Sequence, residues 1–444
     1  MRSAVLYNSH YPWGGTEGSL WAGRGLTAVL EAGGWLHWGP VSVVLAPEAF
    51  RAQNRGFPLV PNGQEGPNRF RSPLSPNNVD LPQRFGDEPY QRVTWGNSEI
   101  RVEGRGVTVG LSGAPQQWGA SQFHPLVLGP NAGGFGHAFV GTERPVSVGV
   151  GRLHARYMIG RLEQSDWAPA REIGPRRLAS GLVATFTPRG LPGVEVGATR
   201  FLHREWPGRE LRLDHFTLPL EFRFKSSIPD YDQRTLNQLA SAFVRVNVPE
   251  AGFEFFGEVV RVDHATTRRV LLLEPDDLAG GMVGFRRVMG EADRALTVIR
   301  GEALATVSSH RERTGARPPL ADRGRPMYQH SRVVQGHTHR GQLLASPAGH
   351  GGHAHLLGLD RYLAWGRWTV ELERRQERDR TTGVRPGVDP ADAEVMWALG
   401  ISGLRYRGPL ALEGGITAAR ILNRGLLEDR WNLHLTVGAR VRLP

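Results

Sequence analysis

The sequence contains no cysteine among its 444 residues. A disulfide framework, a thiolate nucleophile and metal sites with cysteine ligands are therefore excluded. Lysine is almost as scarce, because Lys225 is the single lysine among 54 basic residues. The formal net charge of +11 has two open interpretations, an arginine bias of the genome or attraction to an anionic partner. Since the arginines are dispersed among carboxylates, we expect such a partner to be an acidic polymer and not nucleic acid.

Long apolar runs are also missing. The longest stretch without an acidic or basic residue covers 106–142, and prolines and glycines interrupt it. A membrane-spanning helix needs about 20 mostly apolar residues, so none is predicted, whereas a membrane β-barrel remains possible. No secretory signal follows Met1, because the first residues lack the apolar stretch that such a signal requires.

A regular alternation of apolar and polar residues is the main structural signal. Near the end of the chain one face of the pattern carries Leu433, Leu435, Val437, Ala439, Val441 and Leu443. Alternation over a dozen residues exceeds the 5–6 residues typical of globular strands and fits a tilted membrane strand of about 9–11 residues. Comparable segments recur along the chain. The pattern predicts an all-β fold: a single large antiparallel transmembrane β-barrel with long extracellular loops and short periplasmic turns.

The boundaries follow from where the alternation begins and where it fails. We expect residues 1–25 to be the remnant of a periplasmic region and residues 26–444 to form the barrel. Two stretches, 47–91 and 112–145, are predicted to be irregular loops or a plug. The first contains eight prolines, and proline cannot donate a hydrogen bond to a neighbouring strand.

No sequence motif of a known enzyme class stands in a convincing structural context. Histidine is the one local anomaly, because seven of the 16 histidines lie between positions 310 and 355: His310, His330, His337, His339, His350, His353 and His355. Imidazoles two residues apart on a strand share a face and are able to bind a metal ion. Since glycine-rich loops often carry unpatterned histidines and no acidic second shell is visible, we expect a polar loop face and neither a metal nor another cofactor.

Five blocks of sequence carry a family resemblance when they are read together. They are residues 14–25, with Trp21, Gly23 and Arg24; residues 80–87 with 95–98; residues 118–119 with 131–137; Asn237 leading through Glu258 to Asp263; and residues 328–330 with 336–341. In this order the blocks resemble the capsule-assembly Wzi family of outer-membrane β-barrels, which are associated with attaching capsular polysaccharide to the bacterial surface. The resemblance implies about 18 strands and structural roles for the motif residues named here.

The resemblance also implies a function. It predicts a non-enzymatic, lectin-like protein of the cell outer membrane that binds and anchors acidic capsular polysaccharide. The expected surroundings are outer-membrane lipid and the barrel-assembly machinery, with the chain as a monomer and its secretory signal lost by truncation. The arginine-rich stretch 310–345 is the predicted binding loop, with a second group of contacts near residue 130; the full set is Arg332, Arg340, His337, His330, Tyr328, Trp118, Asn131 and His137.

Two alternatives stay open from the sequence. A general diffusion porin would line an open lumen with arginine side chains. A soluble β-rich glycoside hydrolase would need two carboxylates on either side of a cleft.

Overall fold

A computed structural model describes most of the chain. The described residues are 1–14, 17–73, 75–169, 174–208, 212–221, 224, 227, 236–265, 267–276, 278–291, 294–306, 327–349, 352–376, 394–424 and 428–441. No helix in these ranges is long and apolar enough to cross a membrane.

Strands make up most of the described residues. The first half of the chain contains β1 (Arg2–Asn8), β2 (Gly25–Glu31), β3 (Gly34–Trp38), β4 (Val41–Leu45), β5 (Glu48–Ala52), β6 (Tyr90–Thr94), β7 (Glu99–Gly104), β8 (Val107–Ser112), β9 (His137–Thr142), β10 (Val146–Ser147), β11 (Gly151–Glu163), β12 (Arg176–Pro188) and β13 (Val194–Glu205). The second half contains β14 (Leu236–Val248), β15 (Phe253–Val262), β16 (Ala279–Glu291), β17 (Ala295–Ala305), β18 (Thr338–His339), β19 (Gln342–Leu343), β20 (His353–Leu363), β21 (Gly366–Gln376), β22 (Val395–Arg407), β23 (Leu410–Arg424) and β24 (Glu428–Val441). The helices are α1 (Asp214–Thr217) and α2 (Arg268–Leu273), with 3₁₀ turns at Gly66–Phe70, Leu218–Leu220 and Pro249–Ala251.

The strand pairings form a closed barrel. One sheet holds 22 strands, and β18 pairs separately with β19. Four wall strands are each divided into two consecutive halves: β2 and β3, β4 and β5, β6 and β7, and β9 and β10. The two halves of each strand pair with the same neighbouring wall strand. Counted in this way the wall has eighteen strands. The first strand, β1, pairs antiparallel with both β2 and β24, so the pairing returns to its start. The predicted all-β antiparallel barrel is confirmed.

The alternation separates a lipid-facing surface from the lumen, as predicted. On β24 the side chain of Val437 is 68% exposed, whereas Asn432 and His434 are buried against the interior. Large apolar side chains such as Val259, Leu399 and Ile401 are likewise exposed on other wall strands. An exposed apolar surface of this extent is typical of a protein surrounded by lipid.

The two ends of the barrel differ in the length of their connections. At one end the links are short, as at 39–40, 105–106, 364–365 and 408–409. At the other end the links are long and include 9–24, 53–89 and 113–136. Met1 and Val441 lie at the short-turn end, where the backbone amide of Val441 donates to the carbonyl of Met1 over 2.9 Å. This arrangement matches the predicted short turns and long loops.

The structure corrects the predicted boundaries. Residues 1–25 are not outside the barrel, because β1 is one of its wall strands. The stretch 47–91 contains β5 and the start of β6, and the stretch 112–145 contains β9. These strands are only five or six residues long, so alternation within them is too brief to stand out among the prolines and glycines around them.

Four irregular segments fold into the barrel and form a plug, defined here as the described residues of 9–24, 53–89, 113–136 and 327–349. Backbone hydrogen bonds join its parts: the amide of Asp80 donates to the carbonyl of Gln335 over 2.9 Å, and that of Gly129 to Leu344 over 2.7 Å. Such pairing satisfies backbone groups that have left water. The apolar side chains of the plug join Phe201 and Leu239 of the wall in one buried cluster. The plug is therefore packed against the wall.

Wall carboxylates also hold the plug. The carboxylate of Glu302 on β17 accepts the backbone amides of Gln122 and His124 over 2.7 and 3.1 Å, and the hydroxyl of Ser121 over 2.7 Å. Glu258 on β15 accepts the amide of Ala120 over 3.1 Å. Both carboxyl groups accept from the backbone of the plug, so these contacts fix the segment 118–124 at its depth in the lumen.

Candidate functional site

A cavity of about 310 Å³ lies at the long-loop end, between the plug and the wall strands β21–β23; we call it the outer cavity. Four aromatic side chains line it: Tyr11, Trp13, Trp21 and Phe57. Two arginines line it from the wall, Arg375 on β21 and Arg424 on β23. Rings and guanidinium groups around one opening suit a ligand with apolar faces and negative charge.

Arg424 is held over two of the rings. Its guanidinium carbon lies 5.3 Å from the ring centre of Tyr11 and 5.4 Å from that of Phe57. One nitrogen donates to the carbonyl of Pro58 over 3.2 Å. Cation–π contacts and this hydrogen bond restrict the rotamers of a long side chain. The positive charge is thus placed beside the aromatic wall of the outer cavity.

A second space of about 170 Å³, the inner cavity, lies beside the outer one, and Trp13 and Arg375 line both. Arg375 donates to Glu373 over 2.8 Å, so its charge is partly balanced. The imidazole of His124 lies 3.8 Å from the same carboxylate. Burial lowers the pKa of His124 to about 4, so this histidine is neutral at pH 7 and the contact is not an ion pair there.

Glu17 is the acidic group of the plug that faces the outer cavity. Burial raises the pKa of its carboxyl to about 8, and the positive charge of Arg2 opposes that rise only in part. One of its carboxyl oxygens, Oε2, is buried with no hydrogen-bond partner among the described residues. At neutral pH the protonated group is able to donate a hydrogen bond to a ligand without repelling an anion.

Most of the predicted binding residues lie inside the plug and not on an exposed loop. Tyr328 is 0% exposed and its hydroxyl donates to the carbonyl of Leu126 over 3.0 Å. His337 is also 0% exposed, and its Nε2 lies 2.6 Å from the carbonyl of Val127. Trp118 packs edge-on against Phe201. The prediction that these three side chains contact polysaccharide is wrong for this structure, because none of them presents surface to a polymer.

The two other predicted histidines also have structural partners. Nδ1 of His137 lies 2.8 Å from the carbonyl of Phe135, and Nδ1 of His330 accepts the backbone amides of Arg332 and Val333 over 3.1 and 2.9 Å. Both imidazoles are buried, so the structure also corrects their predicted role as polymer contacts. His330 shapes a turn of the plug, and His137 begins β9 directly after the plug.

The remaining three predicted residues retain exposed surface. Arg332 is exposed at the edge of the plug. Arg340 is partly buried, with its Nε donating to Glu163 over 2.7 Å. Asn131 lines the outer cavity, and its amide donates to the carbonyl of Leu343 over 2.9 Å. Only Asn131 lies at the site that the structure brings together.

His337 and His339, two of the histidines spaced two residues apart, have different partners. His339 accepts the backbone amide of Glu163 over 3.1 Å, whereas His337 contacts Val127 as described above. Among the described residues no group of three or more histidine, aspartate or glutamate side chains is arranged to hold a metal ion. His310 and His350 lie outside the described residues.

The motif residues of the first block position the start of the plug. Trp21 donates to Asn54 over 3.3 Å, and Arg24 donates to the carbonyl of Ser9 over 3.2 Å. A side chain at Gly23 would come within 3.3 Å of the Asn54 backbone. These contacts hold the first plug segment against Asn54, and the segment forms one side of the outer cavity.

The later motif residues act at the barrel wall. Asn237 lies 3.2 Å from Nε2 of His203, Glu258 holds the plug, and Asp263 accepts the backbone amide of His264 over 2.8 Å. The position of Asp263 has a φ of 65°, in the left-handed region that aspartate tolerates better than most residues.

Sequence reasoning missed the residues that define the outer cavity: Tyr11, Trp13, Glu17, Phe57, Arg375 and Arg424. Trp13 and Tyr11 directly precede the first motif block, and that proximity is the only sequence signal that we can identify for them. Arg375 shares the inward face of β21 with Glu371 and Glu373, which indicates a lumen-facing position but not which plug segment it meets. Arg424 is in step with the outward residues of β23, and it reaches the cavity past a register shift between Ile421 and Arg424.

The fold and the plugged lumen define the class of this protein as an outer-membrane β-barrel. No model of a protein family matches the sequence, and no curated protein matches it. Comparison with solved structures finds Wzi from Escherichia coli, a carbohydrate-binding β-barrel involved in group 1 capsule assembly. The two structures share 14% identity with a TM-score of 0.61, covering 98% of this chain and 83% of Wzi.

Two other solved structures are also similar. Pseudomonas aeruginosa OccD3 shares 10% identity with a TM-score of 0.45, covering 100% of this chain and 90% of OccD3. Acinetobacter baumannii OccAB1 shares 9% identity with a TM-score of 0.46, covering 100% and 95% of the two chains. These levels of identity establish the fold alone. At the level of the fold, the similarity to Wzi confirms the predicted outer-membrane barrel and its resemblance to that family.

Proposed function

We propose that this chain is a non-enzymatic protein of the outer membrane that binds an acidic polysaccharide at the cell surface. The observation that carries the proposal is the outer cavity, in which four aromatic rings and two arginines surround one opening at the long-loop end. Wzi, whose fold is similar, is a carbohydrate-binding barrel. The proposed ligand is a polymer that contains uronic acids.

The chemistry of the cavity suits such a polymer. Sugar rings expose C–H groups on their faces, which pack on aromatic side chains such as Trp13 and Phe57. The guanidinium groups of Arg424 and Arg375 are planar and can hold a uronate carboxylate through two parallel hydrogen bonds. Glu17 in its protonated form adds a donor for a hydroxyl or a carboxylate.

The plug supports polysaccharide binding over the porin alternative. Residues of the plug and of β11–β17 share one buried apolar cluster, which fills that side of the outer half of the lumen. Ion conductance in planar bilayers separates the two functions: we expect a low conductance for the intact barrel. A large, steady conductance without polysaccharide binding would support the porin instead.

Calorimetric titration with a uronic-acid oligosaccharide tests the proposal. Replacement of Arg424 by Gln removes a charge from the cavity, and we expect the Kd to rise at least about tenfold, since a hydrogen bond to a charged group contributes about 1.5–3 kcal/mol. Trp13→Ala should weaken binding further by removing a stacking surface. Heat-modifiable migration on gels verifies that each variant still folds.

Arg420→Gln is the matched control. Arg420 lies on the same strand, β23, but faces outward, where it contacts Asp429 and the ring of Trp431. We expect its affinity for the oligosaccharide to equal that of the unchanged protein. If Arg424→Gln and Trp13→Ala also bind normally, the outer cavity is not the site. Binding of neutral dextran with equal affinity would reject the acidic class of ligand.

A further inference from the structure

The barrel wall is incomplete at one place in its outer half. Strands β8 and β9 are six residues each, whereas β11 has 13. They end where Ser112 pairs with His137 and His137 pairs with Gly160. Above that level β6 pairs with β5 on one side, and no strand among the described residues pairs with its other edge. We call this gap between β6 and the upper end of β11 the lateral window.

An apolar groove of about 1100 Å³ lies at the lateral window on the outer face of the barrel. Its sides are outward side chains of the surrounding strands, Val93, Trp95, Ile100, Leu111, Ile159 and Leu178, and its floor is residues 134–136 of the plug. Trp95 is 73% exposed and Leu111 is 60% exposed. The lining is thus continuous with the lipid-facing surface of the barrel. The groove is at least as large as ordinary small-molecule pockets of roughly 300–1,000 Å³.

Trp206 and Phe216 line the groove from the side of β12. Both follow the end of β13, in or near the short helix α1. Apolar side chains of this segment remain exposed on the outside of the barrel, including Leu213 at 79%. Trp206 and Phe216 therefore add apolar surface to the groove on the side of β12.

Charged groups occupy one edge of the groove. Arg161 and Arg340 both line it and both bind Glu163, with distances of 2.7 Å from Arg161 Nη2 to Oε1 and from Arg340 Nε to Oε2. Two guanidinium groups therefore share one carboxylate, which leaves a positive charge. Glu99, on the lower side, is within 3.1 Å of Arg101 and is balanced there.

An outward arginine on a membrane strand is unfavourable in hydrocarbon. Backbone N–H and C=O groups along the unpartnered edge of β6 are also unfavourable in hydrocarbon, since a bilayer core offers no hydrogen-bond partner. Both are satisfied when the window lies at the level of lipid headgroups and an anionic group approaches Arg161. The apolar lining then accommodates the part of the same molecule that lies deeper in the membrane.

We propose that the groove binds a phosphate-bearing lipid of the surrounding outer leaflet, with an acyl chain against residues 134–136 and the phosphate at Arg161 and Arg340. The inference rests on the wall and the groove, and it holds whether or not the outer cavity binds polysaccharide. It assigns a lipid site to a surface that faces the membrane.

A single spin label tests whether an acyl chain enters the groove. The chain has no cysteine, so Gly136→Cys carries one label, and a Cβ at Gly136 meets no atom within 4 Å. In bilayers we expect frequent collisions of this label with oxygen and few with a water-soluble nickel complex. Val437→Cys on the lipid face and Gly104→Cys at a short turn are the lipid and water references. A nickel response like that of Gly104 would overturn the proposal.

Native mass spectrometry of detergent-purified protein tests retention of phosphatidylglycerol. Gly136→Leu fills the groove, and we expect the fraction with bound lipid to fall at least fivefold. Gly104→Leu is the matched control, because a Cβ there also meets no atom within 4 Å. Arg161→Gln should abolish the preference for phosphatidylglycerol over diacylglycerol. Equal lipid retention by Gly136→Leu and Gly104→Leu would refute the site, and an unchanged preference in Arg161→Gln would refute the role of the phosphate.

Discussion

Replacement of Arg177 by Met should loosen the plug. Arg177 on β12 is 0% exposed, and its guanidinium donates to the carbonyls of Gly336 and Thr338, each over 2.6 Å. Loss of two hydrogen bonds from a charged donor costs about 1.5–3 kcal/mol each. Part of this is offset, because a buried charge is no longer desolvated. We expect a net change of about 2–4 kcal/mol in favour of the undocked plug, where each 1.4 kcal/mol is tenfold in population.

Hydrogen exchange measures this change at two plug amides, those of His337 and Leu344, which donate to the carbonyls of Tyr328 and His337 over 2.8 and 3.1 Å. Their exchange should accelerate by at least about thirtyfold, which corresponds to about 2 kcal/mol. Conductance bursts should appear in planar bilayers as the plug undocks. The neighbouring Arg176→Met is the control, because Arg176 is exposed. Equal protection of the plug amides in the two variants would refute the reasoning.

Three further outcomes are expected. Because the pKa of Glu17 is raised to about 8, its carboxyl ionises as the pH rises through 8, so affinity for an acidic oligosaccharide should fall between pH 7 and 9; Glu17→Gln should remove that step, and a step that persists would exclude Glu17. Val437→Arg places a charge on the lipid face at a cost of about 2–4 kcal/mol and should reduce the heat-modifiable folded form, whereas the lumen-facing Thr436→Arg should not; equal tolerance of both would contradict the register. Glu302→Gln removes the charge that accepts plug amides, so current noise in bilayers should increase, and an unchanged quiet trace would show that this carboxylate does not hold the plug.

The sequence by itself determined the barrel. Side chains on a strand alternate between two faces with a period of exactly two residues, so lipid and lumen impose a pattern that local sequence records. Val437 and Leu433 on one face of β24, with Asn432 and His434 on the other, are placed by this rule alone. The count of about 18 strands came from the family resemblance, because short strands such as β5 and β9 lie among prolines and glycines where alternation is too brief to stand out.

Only the tertiary structure decided where the irregular segments go. A basic, histidine-rich stretch such as 327–349 has the composition of an exposed loop, yet Tyr328 and His337 are fully buried, because their polar groups meet the carbonyls of Leu126 and Val127 from about 200 residues away in the chain. The outer cavity likewise combines Trp13 with Arg424 from opposite ends of the sequence. Burial of a polar group depends on its partner, and no local pattern encodes a partner that distant, so the sites emerge only when the barrel closes around its plug.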